Sequence, residues 1–329
     1  MTETKIVWGI IGCGDVAEVK SGPAFQKSAN SELRAVMRRN ATKAEDFAIR
    51  HKVPTWYDDA SRLLQDKNIN SVYIATPPST HLKYALQALE AGKNVYLEKP
   101  MALSYKEAKE IVAAERKYKG KLTIAHYRRQ LPAFIKVKAL VDSGAIGLIR
   151  LVDIQVLQSK NLKLIANSET NWRINPTISG GGYFHDLAPH HIDLLRYFFG
   201  SIKTAFGVSL NQDPAYKTDD IVNGLLSFEN GIQGRGIWCF NTAESNAKQC
   251  CTIYGSQGKL EFSFSGDKIH LITNDETKTF NFKKPEHIQQ PMIEATIAYF
   301  LGKESNPCTA EEGLEVAKIM DIFSASDID

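Results

Sequence analysis

The chain has 329 residues, 43% hydrophobic and 23% charged, with 22 Gly and 12 Pro. At roughly 150 residues per domain that length asks for two domains, and the balanced composition excludes disordered, collagen-like and coiled-coil classes. Forty basic residues against 37 acidic ones leave a net charge of +3, too slight a bias for a nucleic-acid or membrane-surface binder, so the expected partners are small molecules.

The first element is a strand over Ile6 to Ile11. Gly12-Cys13 follows it as in a lipoprotein cleavage site, yet the run is short for a signal segment and Glu3 stands against Lys5 ahead of it. With no apolar run near membrane-spanning length and an odd set of five Cys lacking C-x-x-C spacing, the expected setting is the reducing cytoplasm. Further β-branched runs at 33–37, 72–76, 94–98 and 122–125 predict strands, with helical patterns between them. Thr42-x-x-Glu45 and Ser104-x-x-Glu107 read as capping boxes, and Gly92 as the stop after an apolar-periodic stretch. That rhythm predicts parallel βαβ units in a doubly wound sheet.

Beyond a helix at 132–143 the texture changes to strands at 148–158, 202–210, 221–228 and 232–240 that follow one another directly. Tight turns at Phe228-Glu229-Asn230-Gly231-Ile232 and Gly255-Ser256-Gln257-Gly258 make this half mostly antiparallel. Helices at 288–301 and 310–325 close the chain. The expected domains are therefore 1–125, binding a dinucleotide, and 126–329, binding substrate, with the last helix packing back toward the first domain and a ligand cleft at the junction.

Gly12-Cys13-Gly14-Asp15-Val16-Ala17 is G-x-G-x-x-A between a strand and a helix. There the first Gly allows a tight turn, the second lets the backbone approach a pyrophosphate, and helix-start N–H groups face the anion. An acid at the end of the second strand would bond the ribose hydroxyls of NAD; this strand instead runs into Arg38-Arg39-Asn40. Two guanidinium groups suit a 2′-phosphate, so NADP(H) is the preferred cofactor, Arg38 its primary contact, and NAD(H) the alternative.

Ala75-Thr76-Pro77-Pro78-Ser79-Thr80-His81 and Glu98-Lys99-Pro100 each follow a strand, where doubly wound sheets place ligands, so both loops are expected beside the nicotinamide. Pro100 keeps Lys99 out of helical geometry and free to project. In Gly180-Gly181-Gly182-Tyr183-Phe184-His185-Asp186-Leu187-Ala188-Pro189-His190, Asp186 and His190 are four apart and share a helix face. A carboxylate beside an imidazole raises its proton affinity and fixes its tautomer, as the proton transfer that accompanies hydride transfer requires. A metal reading of Asp186, His190 and His185 is set aside, since no Cys lies near in sequence and no H-E-x-x-H occurs.

Together these residues resemble the Gfo/Idh/MocA family of NAD(P)-dependent oxidoreductases. The resemblance rests on the G-x-G-x-x-A turn, the A-T-P-P-x-x-H segment and Glu98-Lys99-Pro100, then on Tyr127-Arg128 with Pro132, Trp172-Arg173, the Gly180 to Gly182 run, Asp186-x-x-x-His190 and Ile253 to Gly258. It implies a Rossmann domain followed by an α+β domain with a large open sheet used for homo-oligomer contacts. It also implies a metal-free catalytic set: His190 as acid/base, Lys99 on the reacting oxygen, Asp186 orienting the His. Arg128, Trp172, Arg173 and His185 are implied to line the sugar pocket. Arg38 and His185 depart from the common pattern. The expected activity is hydride transfer between NADP(H) and a carbonyl or carbinol carbon of a cyclic sugar, anhydro-sugar or polyol. The alternatives are an aldose, cyclic diol or inositol-type dehydrogenase, and a catalytically silent NADP-binding sensor.

Overall fold

Short apolar runs, buried on both faces, form a parallel sheet in the first part of the chain, seen in a computed structural model that describes residues 4–14, 16–159, 171–214 and 216–324. Its strands are β1 (Ile6–Ile11), β2 (Ser31–Met37), β3 (Thr55–Tyr57), β4 (Ser71–Ile74), β5 (Asn94–Leu97) and β6 (Leu122–Ile124). They lie in the order β3-β2-β1-β4-β5-β6, so the winding reverses between β1 and β4, where doubly wound sheets bind their ligands. A π-helical turn (Ala17–Ser21) leads into α1 (Gly22–Lys27), and α2 (Ala41–Arg50), α3 (Ala60–Gln65), α4 (His81–Glu90) and α5 (Tyr105–Lys117) make the other crossovers.

Two local details differ from the sequence expectation. Asn40, not Thr42, caps α2, its Oδ1 accepting the Lys43 N–H at 3.0 Å, because the chain already turns helical at Ala41. The short strand β3 was not anticipated; three residues with half-exposed ends give no periodic signal. Ser104 does cap α5, accepting the Glu107 N–H.

The second unit takes in Arg128, α6 (Pro132–Asp142), β7 (Ile149–Leu157) and the chain from Asn171 to Lys284, with the end of the chain from Lys318. Here lie α7 (Pro176–Ser179), α8 (Gly182–Phe199), β8 (Ile202–Leu210), β9 (Ile221–Phe228), β10 (Gln233–Cys239), β11 (Lys248–Gly255), β12 (Gly258–Phe262), β13 (Lys268–Thr273) and β14 (Thr277–Asn281). The described strands pair in the order β14-β13-β12-β11-β7-β10-β9-β8, antiparallel except for the central β7–β10 pair. Alternation along β7 and β9 buries one face, carrying Val152, Ile154, Val222 and Leu226. The other face is open: Phe206 pairs with Leu225, Leu225 with Arg235 and Arg235 with Asp153 across four adjacent strands.

The first unit runs through Tyr127 and also recruits Pro285–Ala317, which carries α9 (Gln290–Phe300) and the first half of α10 (Ala310–Ser324). Phe300 packs on Trp8 of β1, ring centroids 5.7 Å apart. The edge strand β6 is covered by this segment: the Ile124 N–H donates to the Cys308 carbonyl at 3.1 Å and the Asn306 amide to the Leu122 carbonyl at 2.7 Å.

Candidate active site

In the first unit the glycine turn sits at the end of β1. Gly12 has φ +97°, a conformation that favours glycine, and a Cβ there would meet Thr76 Cγ2 at 2.7 Å. The N–H groups of Gly12 and Cys13 donate to the Met37 carbonyl at the end of β2, which draws the turn against that strand. Gly14 opens onto free space, an added Cβ meeting no atom within 4 Å. That opening beside a helical start is what a pyrophosphate needs, so a dinucleotide fits the turn. The Cys13 side chain is buried, which pushes its thiol up to about 11. Val16 is half-buried at the helix start, whereas Asp15 lies outside the described residues.

Arg38, half-buried, donates from Nη1 to the Cys13 carbonyl at 3.4 Å, and so leans over the glycine turn, while Arg39 is exposed. Between Glu32 and Glu45 the sequence contains no acid that would repel a phosphate there.

The loops after β4 and β5 are built around buried polar anchors. Thr76 and Pro77 are half-buried, while Pro78 is buried as the 3₁₀ turn Pro78–Thr80 opens α4. His81 is fully buried, with Nε2 2.8 Å from the Thr76 carbonyl and Nδ1 2.8 Å from the Pro100 carbonyl. Burial lowers the proton affinity of its ring, opposed by the two carbonyls and Glu98. Glu98, 6% exposed, accepts from Tyr73 Oη (2.6 Å) and Gln289 Nε2 (2.7 Å) on one oxygen and from the Lys99 N–H (3.1 Å) on the other. Lys99 itself is half-buried and precedes a cis peptide to Pro100. Sequence reasoning missed Tyr73 and Gln289; the latter is 191 residues from its partner, and no local pattern announces it.

In the second unit the Gly run shapes the start of α8. Gly180 and Gly182 have positive φ, and a Cβ on Gly181 would lie 2.0 Å from His185 Nδ1. His185 is buried, which pulls its pKa down to about 4, so it stays neutral around pH 7. Asp186 forms an ion pair with Arg173, Nε to Oδ2 3.0 Å, and the Arg173 guanidinium stacks over half-buried Trp172 at 4.7 Å. His190 is 5% exposed, one turn beyond Asp186 on the same helix face. Pro189 lacks an N–H, so the His185 carbonyl loses its helical donor just before His190.

One further turn on stands Asp193, which sequence reasoning left without a role. Both its oxygens accept from Arg129 Nε at 3.0 Å, and Oδ1 also from Nη2 at 2.7 Å, in a pair 2% and 1% exposed. The i, i+4, i+7 spacing of Asp186, His190 and Asp193 was the available signal. Arg128, beside Arg129, is half-buried, and among the described residues its buried Nη1 has no hydrogen-bond partner. Lys99 thus belongs to the first unit, and Arg128, Trp172, Arg173, His185, Asp186 and His190 to the second. Among the described residues no three His, Cys, Asp or Glu side chains gather as metal ligands, and no helix is long and apolar enough to cross a membrane.

A family profile described as oxidoreductase family, NAD-binding Rossmann fold, matches residues 6–126, and the GFO/IDH/MocA C-terminal domain profile matches residues 134–261. Oxidoreductase P35 of Formosa agariphila is 51% identical over 98% of this chain and 99% of its own length. The trans-1,2-dihydrobenzene-1,2-diol dehydrogenase of Mus musculus is 28% identical over 83% of this chain and 79% of its own. Among solved structures, a levoglucosan dehydrogenase in complex with NADH and levoglucosan matches with a TM-score of 0.85 at 23% identity, covering 98% of this chain and 96% of that one, a likeness of fold.

Proposed function

Since the chain belongs to the Gfo/Idh/MocA family of NAD(P)-binding oxidoreductases, we propose that it moves hydride between NADP(H) and the carbonyl or carbinol carbon of a cyclic sugar, anhydro-sugar or polyol. The observation that carries the cofactor choice is Arg38 leaning over the glycine turn at a strand end that holds no acid. Gly12, the Cys13 backbone, Gly14, Asp15, Val16, Arg38, Arg39, Thr76, Pro77 and Lys99 are assigned to the dinucleotide, and Pro78, His81 and Glu98 support them from beneath. The nicotinamide, when bound, supplies or accepts the hydride.

The chain's own residues handle the proton. His190 gives a proton to the substrate oxygen during reduction and takes it during oxidation. Lys99 hydrogen-bonds that oxygen and stabilises its developing charge. Asp186, held by Arg173, orients His190, while Arg128, Trp172 and neutral His185 contact the substrate hydroxyls. Oxidation of a cyclic diol is the second reading, supported by the name of the mouse relative. The open face of the eight-stranded sheet is assigned to homo-oligomer contacts.

The test is turnover across a panel of keto sugars with NADPH and of polyols with NADP⁺. Lys99→Ala and His190→Ala are expected to lose roughly 10²- to 10⁴-fold in kcat, with NADPH affinity retained in His190→Ala. Near-normal turnover in both variants overturns the catalytic assignment. Tight NADPH binding by a wild-type chain that turns over nothing on the panel favours a silent sensor instead.

A further inference from the structure

We propose that His81 is the positioning residue for Lys99: a buried imidazole that donates a proton from each ring nitrogen, and so clamps the loop after β4 to the loop after β5. The proposal rests on the reading of Lys99 given above. Both ring nitrogens lie 2.8 Å from a carbonyl oxygen, Thr76 on one side and Pro100 on the other, in a side chain with no exposed surface. A carbonyl offers only lone pairs, and a neutral imidazole carries a single N–H. Both contacts at these distances therefore require the ring to hold two protons; with one, a nitrogen lone pair would face an oxygen lone pair.

A cation without surface exposure needs a compensating charge. Burial lowers the ring's proton affinity, as does the Lys99 charge, while the two carbonyls and Glu98 raise it; the paired 2.8 Å contacts, which a ring with one N–H cannot make, outweigh that lowering. Glu98 is a buried carboxylate whose hydrogen-bond donors, Tyr73 Oη, the Gln289 amide and the Lys99 N–H, are all neutral. The imidazolium and this carboxylate balance each other, and together they fix the Lys99 backbone on both sides. Glu98 holds its N–H, and His81 holds the carbonyl of the next residue. The other arm of the clamp ends at Thr76, whose hydroxyl accepts from Thr80 and whose methyl abuts Gly12. One side chain thereby sets the spacing between the glycine turn's neighbour and the Lys99 loop.

The deciding measurement is a long-range ¹H–¹⁵N spectrum of the full-length chain labelled at histidine, with His81 assigned by its absence in His81→Gln. Two protonated ring nitrogens at pH 7 are expected, and a bare nitrogen at that pH overturns the clamp. In kinetics, the Gln amide reaches one carbonyl at most and leaves Glu98 without its balancing charge, so His81→Gln is expected to melt lower than wild type and, assayed well below its melting temperature, to keep substrate KM while kcat falls on the order of 10- to 100-fold, as displaced catalytic groups do. An unchanged kcat in a folded His81→Gln also overturns the proposal. Should Lys99→Ala prove harmless, the role of Lys99 falls, and the spectrum still decides the protonation of His81 by itself.

Discussion

At the end of β2 a single side chain carries the proposed choice of cofactor. Arg38 reaches the Cys13 carbonyl and holds a permanent positive charge with further donors beside the glycine turn, where the proposal sets the ribose 2′-substituent. A charge-assisted hydrogen bond contributes about 1.5–3 kcal/mol, so Arg38→Ala is expected to weaken NADPH binding roughly 10- to 100-fold and to leave NADH binding unchanged. Fluorescence titration with each nucleotide checks this; equal affinities, insensitive to the substitution, would mean that the guanidinium faces solvent. A second residue-scale effect sits far from the site. Burial, with Glu311 near by, raises the carboxyl of Glu115 on α5 from 4.5 to about 7. A raised carboxyl pKa favours folding when protonated, so its contribution is full below pH 4.5 and is lost as pH rises toward 7. Glu115→Gln should match wild type in thermal unfolding at pH 5 and exceed it by about 1–2 kcal/mol at pH 8, a figure reduced for the side chain's partial exposure. Equal stability at both pH values would show the group to be solvated.

Helices and strands record their origin in the sequence unevenly. β1, the glycine turn and the face shared by Asp186 and His190 were legible because each depends on residues close together in the chain: an apolar run, a Gly spacing, a four-residue interval. The Asn40 cap was obscured by a rival motif two residues later, and the three-residue β3 has too little length for a period. What could not be read were partners brought from afar, Gln289 to Glu98, Arg129 to Asp193 and Arg173 to Asp186, since two of these depend on tertiary folding and the third on a turn between short helices. The end of α10 depends on small residues in a sheet. Phe323 lies over Gly207 and Gly224, paired residues of β8 and β9, and a Cβ on Gly224 would stand 2.3 Å from its ring. Gly224→Val is therefore expected to displace that end of the helix and cost about 1–3 kcal/mol, as overpacking does. Urea unfolding measures it, and Gly224→Val combined with Phe323→Ala should lose less than the two single costs added, because the clash vanishes with the ring. Additive costs would separate the two residues.

For the whole molecule the open face of the larger sheet is the feature that bears on assembly. Phe206, Leu210 and Leu225 stand 61%, 57% and 56% exposed on neighbouring strands, an apolar surface of the kind that self-associating proteins cover. The expected outcome is a homo-oligomer in light scattering coupled to gel filtration, reduced to a smaller species by Phe206→Glu together with Leu225→Lys; a wild-type monomer would rule the face out as an interface. The recruitment of Pro285–Ala317 into the first unit has another consequence, for synthesis on the ribosome. A chain that emerges from its amino terminus makes β1 to β6 early, yet Asn306, which covers β6, arrives 184 residues after its partner Leu122, with Cys308 just behind it. The nucleotide-binding unit therefore waits through production of most of the second unit with one sheet edge bare, and a message cut short before that point leaves the edge permanently uncapped and prone to aggregate.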